Sequence, residues 1–533
     1  MTSRRLVDDS AHVVIQEGTS LSSCLLWDSQ KAFFDQEGIN AWHHKVPYYI
    51  TCNPYIADCY ANIILQYLRE RDAPVAYIIE LGAGSGLFSF YTLKRLKELQ
   101  LIRGSCGPTF IYVMTDYSSA NIEYWRNHPA FQEFIEAGVL DFAVFDVETA
   151  GDIRLLRSGL LLQPPACGGA GKTPLVVLAN YIFDSVSHDA FRIRDGQLQE
   201  GLVRVTTPPD NVRDGRPSAL DKVNLTFSYR DITSDYYQEP EYNALLDAYV
   251  AQYPDTHLLL PIGGLRSLTR LRRLSGDDML VLCTDSGYAK YFRQYCADEP
   301  VVMLHVSFSM VVNFDALGRY FHYIGGDSFF QTTQQSIMSA GFVSGRHFDQ
   351  LPETRLALHA NFDHTGPGDL FSFVQHICAS RANCSLETLV ALLNATHWDP
   401  RVFTDCLDQL LVMLRRGPGW AIQDIIDNVP KIIGNFYRMP GVADVFFKIG
   451  LFLQAAGRPL EAIECYELSM LHFGRSDVTF YNIGQCQQTL GRLEQAKDSF
   501  RAAVAVNPDY IMARGWLARL EAGATPASAS GSR

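Results

Sequence analysis

The front two-thirds of the chain alternate short, nearly continuous apolar runs with longer stretches whose apolar residues recur at helical spacing. The runs at residues 76–81 (AYIIEL), 110–116 (FIYVMTD), 142–147 (FAVFDV), 174–180 (PLVVLAN), 279–285 (MLVLCTD) and 301–308 (VVMLHVSF) predict buried strands. Between them, residues 54–71 (PYIADCYANIILQYLRER), 87–99 (LFSFYTLKRLKEL) and 119–127 (SANIEYWRN) predict helices. Strand and helix in alternation imply a mostly parallel sheet with crossover helices, an α/β fold. Residues 195–245 break the rhythm. They are polar and turn-rich (TTPPDNVRDGRPS), and are expected to form an insertion over the sheet edge, as a lid.

The end of the chain repeats itself. Gly450 and Gly484 lie 34 residues apart, as do Gly457 and Gly491, Ala462 and Ala496, and Tyr466 and Phe500; Pro508 follows. Small residues where helices cross, with aromatics filling the gap between them, give the tetratricopeptide pattern of helix, turn, helix. Two repeats are placed at residues 443–476 and 477–510, with a capping helix completing a repeat domain at 443–523 and a disordered tail at 524–533. Residues 370–442 read as a helical linker or degenerate repeats. Residues 61–369 read as the α/β domain, and 1–60 as a helical segment on its substrate side.

The chemistry starts at residues 77–88, YIIELGAGSGLF: a strand, an acid, three glycines two apart, and a helix. Backbone N–H groups at such a helix start point toward a ligand, and glycines let it come close. The glycines are Gly82, Gly84 and Gly86, with Ala83 between the first two. A dinucleotide loop needs its third glycine at position 87, which is Leu, and no Lys-Ser or Lys-Thr makes this a P-loop. Glu80, two residues before the first glycine, would repel a pyrophosphate and suits a ligand carrying an amine or another cation. S-adenosylmethionine is such a ligand. The next strand ends at Asp116, followed by Tyr117, where an acid can accept both ribose hydroxyls. The third ends at Asp146, followed by Val147, where an acid can accept the adenine amino group. The fourth delivers Asn180, Tyr181 and, four residues after Asn180, Asp184. Asn180 is expected to hold the acceptor atom or the cofactor, Tyr181 to shape the acceptor pocket, and Asp184 to orient the acceptor or take its proton. Asp285 ends a later strand, before a Ser-Gly turn. The lone histidines His188 and His305 are assigned no role.

ELGAGSG resembles motif I of the Rossmann-like methyltransferases. Over residues 45–350 the chain also resembles the MidA-like methyltransferases, which include a mitochondrial protein-arginine methyltransferase that helps assemble respiratory complex I. The similarity runs in order through YYITCNPYIADCYANIILQYL, LVVLANYIFDSVSHDAFRIRDGQLQE, GDDMLVLCTDSGY and HVSFSMVVNFDALGRYF. It implies a Rossmann-like class I methyltransferase domain that binds S-adenosylmethionine. The chain departs from the family where Pro-Glu becomes Pro54-Tyr55 and Asn-Glu becomes Asn180-Tyr181. Two carboxylates suited to gripping a guanidinium are phenols here. Ser309 and Val311 stand where the family has Thr and His.

Composition narrows the reading. The formal net charge of −13 argues against broad nucleic-acid binding, which needs a surplus of Lys and Arg. The twelve cysteines show no metal-ligand spacing and suit a reduced, cytoplasmic protein; no metal is expected. The start, MTSRRLVDDSAHVV, lacks an apolar signal region, and no run is long enough to span a membrane. The expected protein is a methyltransferase whose repeats recruit a protein or peptide acceptor. The alternatives are a catalytically silent cofactor-binding assembly protein, and a small-molecule methyltransferase whose repeats make a homodimer.

Overall fold

The structure is a computed structural model that describes residues 12–42, 49–71, 73–104, 109–149, 151–165, 173–290, 292–304, 307–414 and 419–522. These residues fall into two compact units, 1–371 and 372–533.

The first unit is built on the α/β sheet. Its strands are β2 (Ala76–Glu80), β3 (Phe110–Asp116), β4 (Leu140–Val144), β5 (Leu175–Asn180), β10 (Met279–Tyr288), β11 (Asp327–Phe330) and β12 (Ile337–Val343). Along the sheet they run β4-β3-β2-β5-β10-β12-β11. The first five are mutually parallel, and β12 runs antiparallel to both neighbours. This is the doubly wound order, which reverses between β2 and β5 and so opens a crevice at the carboxyl ends of those strands. Strands buried on both faces read as unbroken apolar runs, and Leu175 to Ala179 are all buried. Helix α2 (Pro54–Arg71) starts where the Asn53 Oδ1 accepts the Ile56 amide at 3.1 Å, and ends in Arg69 and Arg71. Its buried stripe includes Ile56, Tyr60, Ile63, Ile64, Tyr67 and Leu68. Helix α3 (Leu87–Arg103) leaves the glycine loop, and α4 (Ser119–Asn127) follows β3.

Three expectations are corrected. Residues 195–245 are not a lid. They supply β7 (Gln197–Thr207) and β8 (Asn224–Asp231) to a second, antiparallel sheet of five strands, completed by β1 (Val13–Ser20), β6 (Asp189–Arg194) and β9 (Thr256–Leu260). Val203 and Val205 face its core while Arg204 and Arg230 face solvent, so the stretch reads as polar although it is strand. The N-terminal segment is not wholly helical. Among its described residues β1 comes first, followed by α1 (Leu25–Glu37) and a short turn of helix at Gly38–Trp42. The run at 301–308 adds no strand to the α/β sheet: Val302–Leu304 pairs antiparallel with Phe308–Met310. His305 lies outside the described residues.

The second unit is helical: α5 (Leu386–Ala395), α6 (Pro400–Met413), α7 (Gly419–Gly434), α8 (Val445–Ala455), α9 (Pro459–Phe473), α10 (Asp477–Thr489), α11 (Leu493–Val506) and α12 (Ile511–Glu521). The repeat glycines are crossing points. A Cβ on Gly450 would lie 2.5 Å from Tyr466, and one on Gly484 2.7 Å from Phe500. The residues expected to be a tail, 524–533, lie outside the described residues. No helix among the described residues is long and apolar enough to cross a membrane.

Candidate functional site

The glycine loop is pinned between its neighbours. The Leu81 amide bonds to the Leu178 carbonyl at 2.9 Å and the Ala83 amide to the Thr115 carbonyl at 2.8 Å. Gly82 and Gly84 both adopt φ 56°, and Gly86 adopts φ 76°. Left-handed backbone in succession is cheap only for glycine. Space reinforces the requirement, because a Cβ at Gly82 would lie 2.6 Å from Ile182 and one at Gly84 2.5 Å from the Trp42 ring. The Gly84 carbonyl also accepts the Trp125 indole N–H at 3.0 Å.

Glu80 lies on the sheet face that α3 covers. The register sets Ile78 opposite Tyr112, so Glu80 and Tyr112 project to the same side. The Glu80 Oε2 accepts the Tyr112 hydroxyl at 2.6 Å and the Ser89 hydroxyl from α3. Burial, against the pull of those two hydroxyls, lifts its pKa to about 7. This carboxyl is therefore committed inside the fold through Oε2.

Asp116 and Asp146 stand at the ends of the next two strands. Asp116 is buried; its Oδ1 accepts the Ser118 amide at 2.9 Å and its Oδ2 the Asn121 side chain at 3.1 Å. Burial raises its pKa. Asp146 accepts the Glu148 amide at 2.9 Å and pairs with the Lys31 ammonium at 3.0 Å. Burial opposes its ionisation, but the Glu148 amide and Lys31 outweigh it and hold the pKa below the usual carboxylate value. Tyr117 donates its hydroxyl to the Lys31 carbonyl at 3.3 Å, and the Val147 carbonyl accepts Arg270 at 2.7 Å.

At the end of β5, the Asn180 Oδ1 accepts the Tyr60 hydroxyl at 2.6 Å and the Thr284 amide at 3.1 Å. Its Nδ2 is buried without a hydrogen-bond partner. A buried donor left unmade is costly, so this one calls for a partner that the chain itself does not supply. Tyr181 follows with φ 54°, an uncommon conformation for a bulky residue and one that clusters at functional edges. Burial, with Asp285, Asp184 and Cys52 nearby, keeps its phenol protonated.

Asp184 and Asp285 form a pair. The Asp184 amide donates to the Asp285 Oδ2 at 3.1 Å, and the Ser185 hydroxyl to the Asp184 Oδ1 at 2.6 Å. Both are buried, and two neighbouring carboxylates cannot both ionise cheaply, which favours keeping a proton on the pair. Burial raises Asp184 to about 6 and Asp285 further. Asp285 is not a turn residue: β10 runs on to Tyr288 and holds it fully buried. Tyr55 spends its hydroxyl on the Thr365 carbonyl at 3.1 Å. His188 is buried in the core, with Nδ1 against the Val186 carbonyl at 2.8 Å and its ring stacked on Trp27. Among the described residues no cluster of His, Cys, Asp or Glu is arranged to hold a metal.

Four contributors carry no signal in the sequence: Tyr60 and Thr284, which orient Asn180, and Lys31 and Trp42, which reach the strand ends from the N-terminal segment. They are ordinary residues of helices and strands, and only the three-dimensional fold brings them to the crevice.

Residues 479–510 match the tetratricopeptide repeat family. No curated protein matches the chain. Among solved structures, the chain is similar to an uncharacterised COG1565 superfamily protein from Burkholderia thailandensis. The two are 12% identical, covering 60% of this chain and 86% of that one, with a TM-score of 0.37. A COG1565 superfamily member from the same bacterium, bound to S-adenosyl-homocysteine, is 13% identical over 55% of this chain and 77% of its own, with a TM-score of 0.35. The DhpI complex with S-adenosyl-homocysteine is 10% identical over 60% and 97%, with a TM-score of 0.27. Likeness at these scores carries no weight for this chain, whose fold rests on its own strand order and register.

Proposed function

We propose that this chain is an S-adenosylmethionine-dependent methyltransferase acting on a protein or peptide, of the MidA-like kind. The observation that carries the reading is the orphaned, buried Asn180 Nδ2 beside a loop of three left-handed glycines, at the crevice where doubly wound sheets bind ligands. The remaining groups fit the cofactor. The loop opens a helix, where backbone N–H groups suit an anionic group such as the cofactor's carboxylate. Asp116 and Asp146 each accept a few bonds within the fold, fewer than the roughly four a carboxylate can take, which leaves capacity for ribose hydroxyls and the adenine amino group. Glu80 departs from the expectation: with Oε2 committed to Ser89 and Tyr112, it supports the loop from beneath.

Bound S-adenosylmethionine would supply a methyl group on a sulfonium, open to in-line displacement. The chain's task is then to position the acceptor and remove its proton. Asn180 Nδ2 donates to an oxygen of the acceptor or of the cofactor. Tyr181 lines the acceptor side, and the buried pair Asp184 and Asp285 receives the acceptor's proton. The repeat unit recruits the acceptor, since tetratricopeptide repeats are protein-interaction scaffolds. We place the protein in the cytoplasm.

A second reading, a cofactor-binding assembly protein without turnover, is favoured by the phenols at 55 and 181. The Tyr55 hydroxyl is taken by a backbone carbonyl, and Tyr181 stays protonated, so neither replaces a carboxylate. Calorimetry with S-adenosylmethionine and S-adenosyl-homocysteine, on wild type, Gly84→Arg and Asn180→Ala, tests the cofactor. Binding by wild type that Gly84→Arg abolishes and Asn180→Ala weakens supports both readings; no binding by folded wild type sinks both. Transfer of labelled methyl from the cofactor to a co-purified polypeptide then separates them.

A further inference from the structure

The N-terminal segment crosses all four strand ends that the cofactor site uses. Trp42 lies on Gly84 after β2. Gly38 faces Ala120 and Asn121 after β3, and the Lys31 carbonyl accepts the Tyr117 hydroxyl there. The Lys31 ammonium sits between Asp146 at 3.0 Å and Glu148 at 3.3 Å, after β4. Gln30 donates to the Ser185 carbonyl at 3.1 Å, after β5, and accepts the Phe308 amide at 2.9 Å.

These contacts are not alike. Gln30 is 4% exposed and uses both ends of its amide, which fixes the segment on the β5 side. Lys31 is partly exposed, and a part-exposed ion pair breaks readily. The loop itself lies between two indoles. Trp125 is bonded to the Gly84 carbonyl from within the fold, whereas Trp42 approaches the side a Cβ would occupy. Asp146, the acid suited to the adenine amino group, is the one Lys31 holds.

We propose that Trp42 and Lys31 belong to the cofactor site: Trp42 walls the glycine loop, and Lys31 latches the segment across the β4 end, so a bound S-adenosyl cofactor leaves only when the segment lifts. This rests on the methyltransferase reading above. A segment that merely packed for stability would leave cofactor exchange unaffected by either side chain.

The test is stopped-flow dissociation of S-adenosyl-homocysteine from the full chain: wild type, Lys31→Met, Trp42→Ala and Trp42→Phe. Lys31→Met keeps the aliphatic stem and should release the ligand about two- to fivefold faster, the worth of a part-exposed ion pair. Release from wild type should quicken with salt, and release from Lys31→Met should not. Trp42→Ala should speed release by about tenfold or more, with Trp42→Phe close to wild type. Should Trp42→Ala fail to fold, Lys31→Met, a change at a part-exposed side chain, decides. Equal release rates and salt dependence in wild type and Lys31→Met overturn the latch and leave the cofactor reading standing. Absence of S-adenosyl-homocysteine binding by folded wild type overturns both.

Discussion

Replacing Glu80 by Gln should change how stability depends on pH. The Glu80 carboxyl is buried and accepts the Ser89 and Tyr112 hydroxyls, and desolvation lifts its pKa from 4.5 to about 7. An acid with a raised folded-state pKa adds stability that is complete below the unfolded value and is lost as pH climbs through the folded one. The loss therefore falls between pH 4.5 and about 7. That gap, at roughly 1.36 kcal/mol per pH unit, amounts to about 3 kcal/mol. Gln keeps an acceptor oxygen for both hydroxyls and carries no charge, so its stability has no such slope. The assay is urea unfolding of the first unit, wild type and Glu80→Gln side by side, followed by hydrogen exchange of peptides from residues 76–103. The variant should gain about 3 kcal/mol on wild type between pH 4 and pH 8, whatever its offset at low pH. A difference that stays flat with pH would show that Glu80 titrates in the fold as it does in the unfolded chain, and the account of its burial would be wrong.

Arg71→Met should cost about 3–5 kcal/mol in urea unfolding, because it strands the buried Asp278 that Arg71 and the Tyr67 hydroxyl hold. Asp184→Asn should gain stability on wild type as pH rises from 4 through about 6, since burial lifts the Asp184 carboxyl and its ionisation in the fold is then a cost that Asn does not bear; thermal melts across that range check the sign. Gly484→Ala should destabilise the repeat unit by about 1–3 kcal/mol by forcing a Cβ against Phe500, and Gly491→Ala, with open space but φ 74°, by about 1 kcal/mol; the melting transition of the second unit reports both.

Much of the fold was legible because its signals are local. Strands buried on both faces must be apolar throughout, so β2, β3, β4, β5 and β10 announce themselves. The repeat glycines and aromatics recur because each helix pair needs a small residue where the next ring lies, at Gly450 with Tyr466 and Gly484 with Phe500. The glycine loop is legible for the same reason: its backbone sits where only glycine is comfortable. Strands with one wet face were misread, as in β7 and β8, and β11, only four residues long, and β12, whose apolar run is broken by Ser339, Ala340 and Gly341, went unnoticed.

The sequence by itself determined the chemistry offered at the strand ends, namely glycines, Asp116, Asp146, Asn180 and Asp184. The tertiary structure alone decided how those groups are used. It turned Glu80 under α3, paired Asp184 with Asp285 across 101 residues, and left the Asn180 Nδ2 without a partner. It also carried Lys31 to Asp146 across 115 residues. Local sequence sets backbone conformation, which depends on neighbours in the chain. Protonation, pairing and covering depend on which distant side chains share a low-dielectric space, and only packing brings those together.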